Sequence, residues 1–499
     1  MKYLQRISIL YLAIPFIIFC MGWLRLSVAV PAVIIILFAL YKLLFTNYQP
    51  PIFTFSSSTL YWLLLTAFWV LLSGVGGYTF QNWDHHWRNA VLHDLINYDW
   101  PVFYTTPETG PVKMLVYYVG YWLPSALIGK LLGWQAANFF LFLWTWLGVV
   151  LVALHLASAL KTSPVKTILL LIFFSGMDVL GTLFLAPEYP TLFPVVTHLE
   201  VWNGSLQYSS FTTQLFWAFN QAIPAWLCIA ALITLSQRDE PKTDTRFTLV
   251  FFWSLCFFFA PLVSVGLLPY VLIELIKQTD FKSPFKNLNP AIILAAIIIF
   301  LLSSFFFASN TAAQSRGFQS LALKDFLLFF LLEGGILWLL LAPVKWRDPR
   351  WMVTGVLLAV IPFIQLGSGN DFVMRASIAP LFYLMLMAGE TIFNKSTPRP
   401  LLITVYFLLL FGSLTPLYEI NRSAYRTYQY YFVQEETDCS CDAPLHVTHL
   451  EQGGAPELEH PDTLVADEIR TLQFMEDKLS KNFIANVRQS LYYRYISSR

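Results

Sequence analysis

Apolar runs of about the length needed to cross a bilayer recur from residue 7 to residue 417, and they leave few choices of fold. Lipid offers no partner for backbone N–H and C=O groups, so such runs must be helices or the strands of a closed barrel. Runs near twenty residues, without alternating polar positions, specify helices. The chain therefore reads as an all-α polytopic membrane protein, with spans near 7–24, 27–46, 59–76, 134–158, 164–184, 214–235, 247–261, 263–277, 289–308, 324–342, 351–366, 376–394 and 400–417. That makes about thirteen. The pair meeting at Pro261 is short, and reads either as a tight hairpin or as one broken helix.

Positive charge sets the orientation. Lys2, Arg6 and Lys42 flank the first two spans and put the N-terminus inside. The apolar stretch 112–133 carries Lys113, Lys130, Pro124 and several glycines, and it is expected to lie at the interface rather than cross. That choice places the basic linkers 161–166, 236–246, 277–286, 345–350 and 395–399 all inside. The outer face then gathers loops 77–133, 185–213, 309–323 and 367–375. Residues 1–416 form the membrane domain. Residues 417–499 form an outer tail, with helical spacing over Thr463–Arg488 suggesting a small helical cap. No signal-peptide cleavage site follows the first apolar run. The expected location is a bacterial inner membrane, with the site facing outward.

Composition matters in two places. With 57% hydrophobic and 12% charged residues, concentrations of polar groups need a reason. A formal net charge of +1 gives no bulk attraction for nucleic acid, so none is expected as a partner. Of five cysteines, Cys20, Cys228 and Cys256 sit in apolar runs as packing residues. Cys439 and Cys441 form a C-x-C pair with no four-ligand zinc pattern around it.

The densest polar stretch is Asn82–Tyr104, NWDHHWRNAVLHDLINYDWPVFY. From Asp84 it reads as a helix lying on the membrane surface and stopping near Trp100-Pro101. Asp84 at its start suits either capping of free N–H groups or catalysis. His85, His86, Arg88 and His93 put further polar groups around most of that helix, as candidates for substrate binding. The second outer loop supplies Glu200, a candidate second catalytic carboxylate, with His198, Trp202 and Asn203 nearby and Asn220 and Gln221 leading the next span. Two carboxylates suit glycosyl transfer, one taking the acceptor proton and one holding a partner. Gly367–Arg375 supplies Asp371 and Arg375, and Arg375 offers a phosphate a bidentate fork. Arg316 is a weaker candidate for the same work. Asp178, inside a span, could line the same cavity.

An acid just after an early span, a helix beginning at that acid, a Pro-Val-Lys segment with Tyr117-Tyr118, and a span ending in a basic linker together resemble the polytopic type-C glycosyltransferases. That class includes protein O-mannosyltransferases and aminoarabinose transferases, and the likeness covers about residues 60–235. The resemblance implies a polyprenyl-phosphate-linked sugar donor, a lipid, glycan or protein acceptor, and surrounding membrane lipids. It also implies a catalytic role for Asp84, with a divalent metal ion at Asp84 and His85 as an open expectation. The chain departs from the class where the second acid of an Asp-Asp or Asp-Glu pair is His85. The alternatives are a transporter or flippase of lipid-linked glycans, a membrane acyl- or phosphotransferase using a histidine base, and a noncatalytic assembly subunit.

Overall fold

The expected apolar runs become helical, with one broken at Phe174–Met177, because a helix satisfies its own backbone where water is absent. The computed structural model describes residues 2–45, 57–104, 113–185, 198–204, 206–237, 245–279, 282, 289–310, 316–366, 371–433, 482–487 and 490–498. Among the described residues ten helical stretches are long and apolar enough to cross a membrane, which makes the chain an integral, multi-pass membrane protein. Three shorter apolar helices, Thr59–Leu72, Thr245–Phe259 and Pro349–Phe363, fall at three further expected spans.

In chain order the helices begin with α1 (Lys2–Trp23), α2 (Leu26–Phe45), α3 (Ser57–Leu72) and α4 (Asp84–Asn97). Then come α5 (Leu123–Ala159), α6 (Pro164–Phe173), α7 (Asp178–Leu185), α8 (Phe211–Ser236), α9 (Thr245–Phe259), α10 (Pro261–Gln278) and α11 (Pro290–Ala308). The chain continues through α12 (Leu323–Phe330), a π-helical turn Leu331–Gly335, α13 (Ile336–Lys345), α14 (Pro349–Val360), α15 (Asp371–Ala376), α16 (Ile378–Phe393), α17 (Arg399–Gly412) and α18 (Leu414–Tyr428). A short α19 (Leu491–Tyr495) ends the described chain.

Helix α8 is the axis. Its apolar window is buried throughout, and it packs against α5, α9, α10, α16 and α18. Helix α2, by contrast, turns Ile34, Leu37 and Phe38 outward, as a lipid-facing surface requires. Two features bend α8. Ala218 leaves helical geometry (φ −144°, ψ 32°), and Pro224 cannot donate to the carbonyl of Asn220.

The 112–133 stretch contains no long helix of its own. It supplies a strand, β2 (Lys113–Leu115), and then the first turns of α5, which break at Gly133 (φ 83°, ψ −179°). That backbone conformation is open only to glycine, and the ten residues before it rise only about 15 Å. β2 pairs with β1 (Phe103–Tyr104) and with β5 (Ile484–Asn486) in a three-stranded antiparallel sheet. A second pair joins β3 (Arg316–Phe318) to β4 (Ile364–Leu366), with Arg316 opposite Leu366. These small sheets add to a helical fold that forms no barrel.

The two ends of the bundle differ. At one end Lys345 and Arg350 both bind Glu390, and Lys166 lies over the Phe393 ring. Three of the basic linkers thus share that end. At the other end the returning C-terminus is stitched to the first helical hairpin, where Arg25 Nε donates to Ser497 C=O (2.9 Å) and Ser498 N to Trp23 C=O (2.8 Å). Asn310 Nδ2 donates to Val116 and Asn482 carbonyls, closing this end over β2.

The structure differs from expectation at α4 and along the C-terminal chain. Helix α4 is not a surface-lying helix: Trp87, Ala90, Val91, Leu92 and Leu95 are buried, and so are Arg88, Asn89, His93 and Asp94 on its other sides. The C-terminal strand covers it, with Phe483 stacked on Trp87 at 5.1 Å. Residues 463–481 of the expected cap lie outside the described residues, and at 484–486 the chain is β5 rather than helix, because it completes the β2 ladder. The boundary expected at 416/417 falls within α18, whose Glu419, Arg422 and Ser423 are buried against the bundle. Cys20, Cys228 and Cys256 are buried free thiols, and Cys439 and Cys441 lie outside the described residues.

Candidate active site

Helix α4 starts where Asn82 accepts the Asp84 N–H (3.2 Å), so the side chain at the helix entry is Asn82 rather than Asp84. The Asp84 carboxylate is left to another partner. Arg88, one turn on, donates from Nη2 to Asp84 Oδ2 at 2.9 Å. Among the described residues Asp84 Oδ1 is not hydrogen-bonded. The pair is asymmetric, with the Asp84 side chain 29% exposed and that of Arg88 5%.

Arg88 is held on three sides. Its Nε donates to Asn220 Oδ1 (3.3 Å) just beyond the α8 bend, and its guanidinium lies 5.7 Å from the centroid of the Phe219 ring. Its Nη1 is buried with no hydrogen-bond partner among the described residues, as is Asn220 Nδ2. Burial pushes the Arg88 guanidinium down from its ordinary value; Asp84 and Tyr117 pull it back up and Arg375 pushes it further down. Arg375 and Asp371 therefore belong to the same group, carried one turn apart on α15. Asp84, Arg88, Asp371 and Arg375 all act on Tyr117, whose phenol is driven up chiefly by burial. Tyr118, driven up by burial as well, feels Asp371 and Arg375. Three segments far apart in sequence thus place two acids, two guanidinium groups and two tyrosines together. Among the described residues Arg375 makes no hydrogen bond.

The neighbouring histidines do other work. His85 is buried, donating from Nε2 to Phe216 C=O (3.1 Å) with Nδ1 facing Gln81 Nε2 (3.4 Å). Asn82 Nδ2 donates to the same carbonyl (2.9 Å), so this part of α4 is riveted to α8. His93 is nine residues beyond Asp84, half a turn round the helix. It bonds Asp94, which accepts from Tyr104 (2.8 Å), and it meets the edge of Trp134. The His86 side chain lies outside the described part. A metal ion at Asp84 and His85 does not fit this arrangement, since both His85 ring nitrogens face protein partners. Among the described residues no three His, Cys, Asp or Glu side chains group as metal ligands.

Glu200 is not beside Asp84. It is buried in a separate cluster, where Oε1 accepts from Ser210 N (2.9 Å) and Thr213 Oγ1 (2.7 Å) and Oε2 from Gln207 (2.9 Å). These bonds hold the start of α8. His198 bridges Glu200 (3.7 Å) and Glu419 (3.1 Å), and Glu419 also accepts from Trp217 and Arg422. Burial pushes the Glu200 carboxyl up, to about 7, with Asp178 adding and His198 opposing. Burial works against the His198 imidazolium, but Glu419 outweighs it and the net movement is up. Trp202 is buried, donating to Glu333 Oε1 (2.6 Å), and Asn203 is half-buried beside it. Arg316 is exposed on β3, in the strand opposite the chain that leads into α15.

Sequence reasoning missed Glu333, Glu419 and Arg422. A lone acid in the apolar run around Leu331–Gly335 was a legible signal for the first. Glu419 and Arg422 were hidden by their assignment to a soluble tail.

No protein-family model, no curated protein and no solved structure matches this chain.

Proposed function

We propose that the protein is a membrane glycosyltransferase of the type-C kind, moving a sugar from a polyprenyl-phosphate donor to an acceptor hydroxyl. In this reading the chain crosses a bacterial inner membrane thirteen times, and the site opens on the outer face. The observation that carries it is the partly exposed Asp84 beside two guanidinium groups, one with a buried Nη1 unpartnered among the described residues.

Asp84 Oδ1 accepts the proton of the acceptor hydroxyl while Arg88 keeps Oδ2 in place. The acceptor oxygen bonds to the anomeric carbon as the bond from that carbon to the phosphate oxygen breaks, with inversion. The leaving group is an anionic lipid phosphate, so Arg88 and Arg375 serve by holding its charge rather than by donating a proton. Tyr117 and Tyr118 close the site beside them. Glu200 acts at a distance, fixing the start of α8, on which Phe219 and Asn220 position Arg88.

The test is transfer from undecaprenyl-phosphate-linked mannose, glucose, galactose and aminoarabinose to lipid, glycan and protein acceptors, using protein in nanodiscs. Asp84→Asn should lose about a hundredfold or more in turnover while still binding undecaprenyl phosphate. Full turnover in that variant would end the assignment. The transporter or flippase reading draws on a different observation, the acids at the interrupted α6–α7 span. It predicts movement of intact lipid-linked sugar across the bilayer, undiminished by Asp84→Asn.

A further inference from the structure

Two interruptions in apolar helices meet inside the bundle. The span Pro164–Leu185 loses helical form between α6 and α7, at Phe174–Met177, and the span Leu323–Lys345 is π-helical at Leu331–Gly335. Met177 N donates to Leu332 C=O (2.9 Å), joining the two irregular segments directly. Gly176 permits the approach, since a Cβ there would lie 2.6 Å from Glu333 Oε2 and 2.8 Å from Glu333 Cα. Irregular backbone inside a membrane bundle collects at ligand and ion sites.

Each interruption contributes one acid. Asp178 is fully buried, and its Oδ2 accepts from Ser175 Oγ and Thr415 Oγ1, both at 3.0 Å. Glu333 is 2% exposed, and its Oε1 accepts from Trp202. Each carboxyl therefore has one satisfied oxygen. The others, Asp178 Oδ1 and Glu333 Oε2, are buried with no partner among the described residues. The two carboxyl groups act on each other, Asp178 lying two residues beyond the Gly176 backbone that abuts Glu333 Oε2. Two ionised carboxylates offer only acceptors, so neither orphan oxygen could satisfy the other. One added proton changes that, making a donor of one acid and satisfying both.

Among the described residues neither acid is paired with a cation that could take the proton's place. The charged neighbours acting on Glu333 are Asp178 and Glu200, and Tyr208 faces it as a neutral phenol. Asp178 also acts on Glu200, which is bridged to His198, and Arg422 is engaged by Glu419. From α18 the group facing Asp178 is the Thr415 hydroxyl. Beside Glu333 lies a cavity of about 20 Å³, lined in part by Ser175, Gly176 and Met177, with room for about one water.

We propose that Asp178 and Glu333 form an intramembrane proton site, holding a single proton between Asp178 Oδ1 and Glu333 Oε2 and thereby closing the interrupted helices on each other. Loss of that proton leaves two facing carboxylates, which favours separation of the Phe174–Met177 and Leu331–Gly335 segments. Through Trp202 the separation reaches the loop that carries Glu200. The proposal stands independently of the glycosyl-transfer reading.

Infrared spectroscopy of the full-length protein in nanodiscs tests it. Wild type should show a protonated-carboxyl C=O band at pH 7 that shifts in D2O and disappears as pH is raised. Asp178→Asn and Glu333→Gln should each remove it with helix content unchanged when measured in a Glu200→Gln background, and Glu200→Gln alone should take away only the part that Glu200, with a value of about 7, contributes itself. Wild type carrying ¹³C-carboxyl aspartate or glutamate gives a readout that depends on no variant, and the band should move with at least one label. A wild-type spectrum without the band at pH 7, a band that neither label moves, or a band kept in full by both Asp178→Asn and Glu333→Gln overturns the proposal. Removal of the band by sodium ions at constant pH overturns it too, making the ligand a metal cation instead.

Discussion

Replacing Arg88 by methionine separates the work of the guanidinium from that of the acid it binds. Methionine keeps most of the length and the contact with Phe219, and it removes the charge and all five N–H donors. Two costs to stability follow from the surroundings. Asp84, 29% exposed, can turn to water, so its loss of partner is cheap. Asn220 Oδ1 is buried and loses its donor, which costs about 1–3 kcal/mol. The variant should therefore fold, with a melting temperature somewhat below wild type by tryptophan fluorescence. Binding should suffer more. Arg88 Nη1 has no partner among the described residues and is the donor a phosphate oxygen would take. A charge-assisted bond is worth about 1.5–3 kcal/mol, so undecaprenyl phosphate should bind about 10- to 150-fold more weakly to Arg88→Met. Arg88→Lys restores the charge without the fork and should fall between. The measurement is a titration of undecaprenyl phosphate into protein in nanodiscs. Wild-type affinity in a folded Arg88→Met variant would refute the assignment of this guanidinium to the phosphate.

Asp371 faces the same phosphate with a like charge. Asp371→Asn should therefore tighten undecaprenyl phosphate binding by about fivefold, an effect of about 1 kcal/mol; weaker binding would mean that Asp371 serves mainly to hold Arg375. Glu200 and His198 both have folded values above their unfolded ones, so both bind protons more tightly in the native state. Stability from Glu200 should decline between about pH 4.5 and pH 7 by at most about 3 kcal/mol, and that from His198 should decline as pH rises beyond 6.5. Melting temperatures measured from pH 5 to pH 8 should fall, and less steeply in Glu200→Gln. Glu419 and Arg422 have side chains only 5% and 2% exposed, so Glu419→Gln removes the carboxylate charge facing a buried guanidinium at a cost of about 3 kcal/mol. The double variant Glu419→Gln/Arg422→Met should recover more than half of the lost melting temperature; a double variant no better than the single one would show that the pair is not coupled.

The fold was legible because membrane helices write their length and apolarity directly into sequence. The irregularity of 112–133 was legible as well, since Gly, Pro and Lys are poorly suited to a spanning helix and Gly133 does break one. Burial of α4 was not. Its cover comes from Phe483, nearly four hundred residues away, and a strand of three residues leaves no periodic trace. Asp84 and Arg88 could be paired from their spacing on one helix. Their meeting with Asp371 and Arg375 depends on how α15 packs, which local pattern does not encode. Glu200 misled for a related reason: a carboxylate in a polar loop looks available, whereas here three donors satisfy it internally.

The first turns of α8 explain why two polar clusters can be distinct and yet depend on each other. Glu200 secures that helix at Ser210 and Thr213. Phe216 C=O receives Asn82 and His85 from the entry to α4, and Trp217 reaches the other way to Glu419. Helical geometry then lapses at Ala218, and the next two residues, Phe219 and Asn220, hold Arg88. A continuous helix would present residues 216–220 at a fixed 100° per step. The lapse at Ala218 frees Phe219 and Asn220 from that spacing. The departure from helix therefore falls between the residues that bind the buried Glu200–Glu419 cluster and those that position the guanidinium beside Asp84. A change of charge at Glu200 acts on the first group through direct hydrogen bonds, and it reaches the second through the backbone of Ala218 and through Phe216 C=O, which holds the entry to α4.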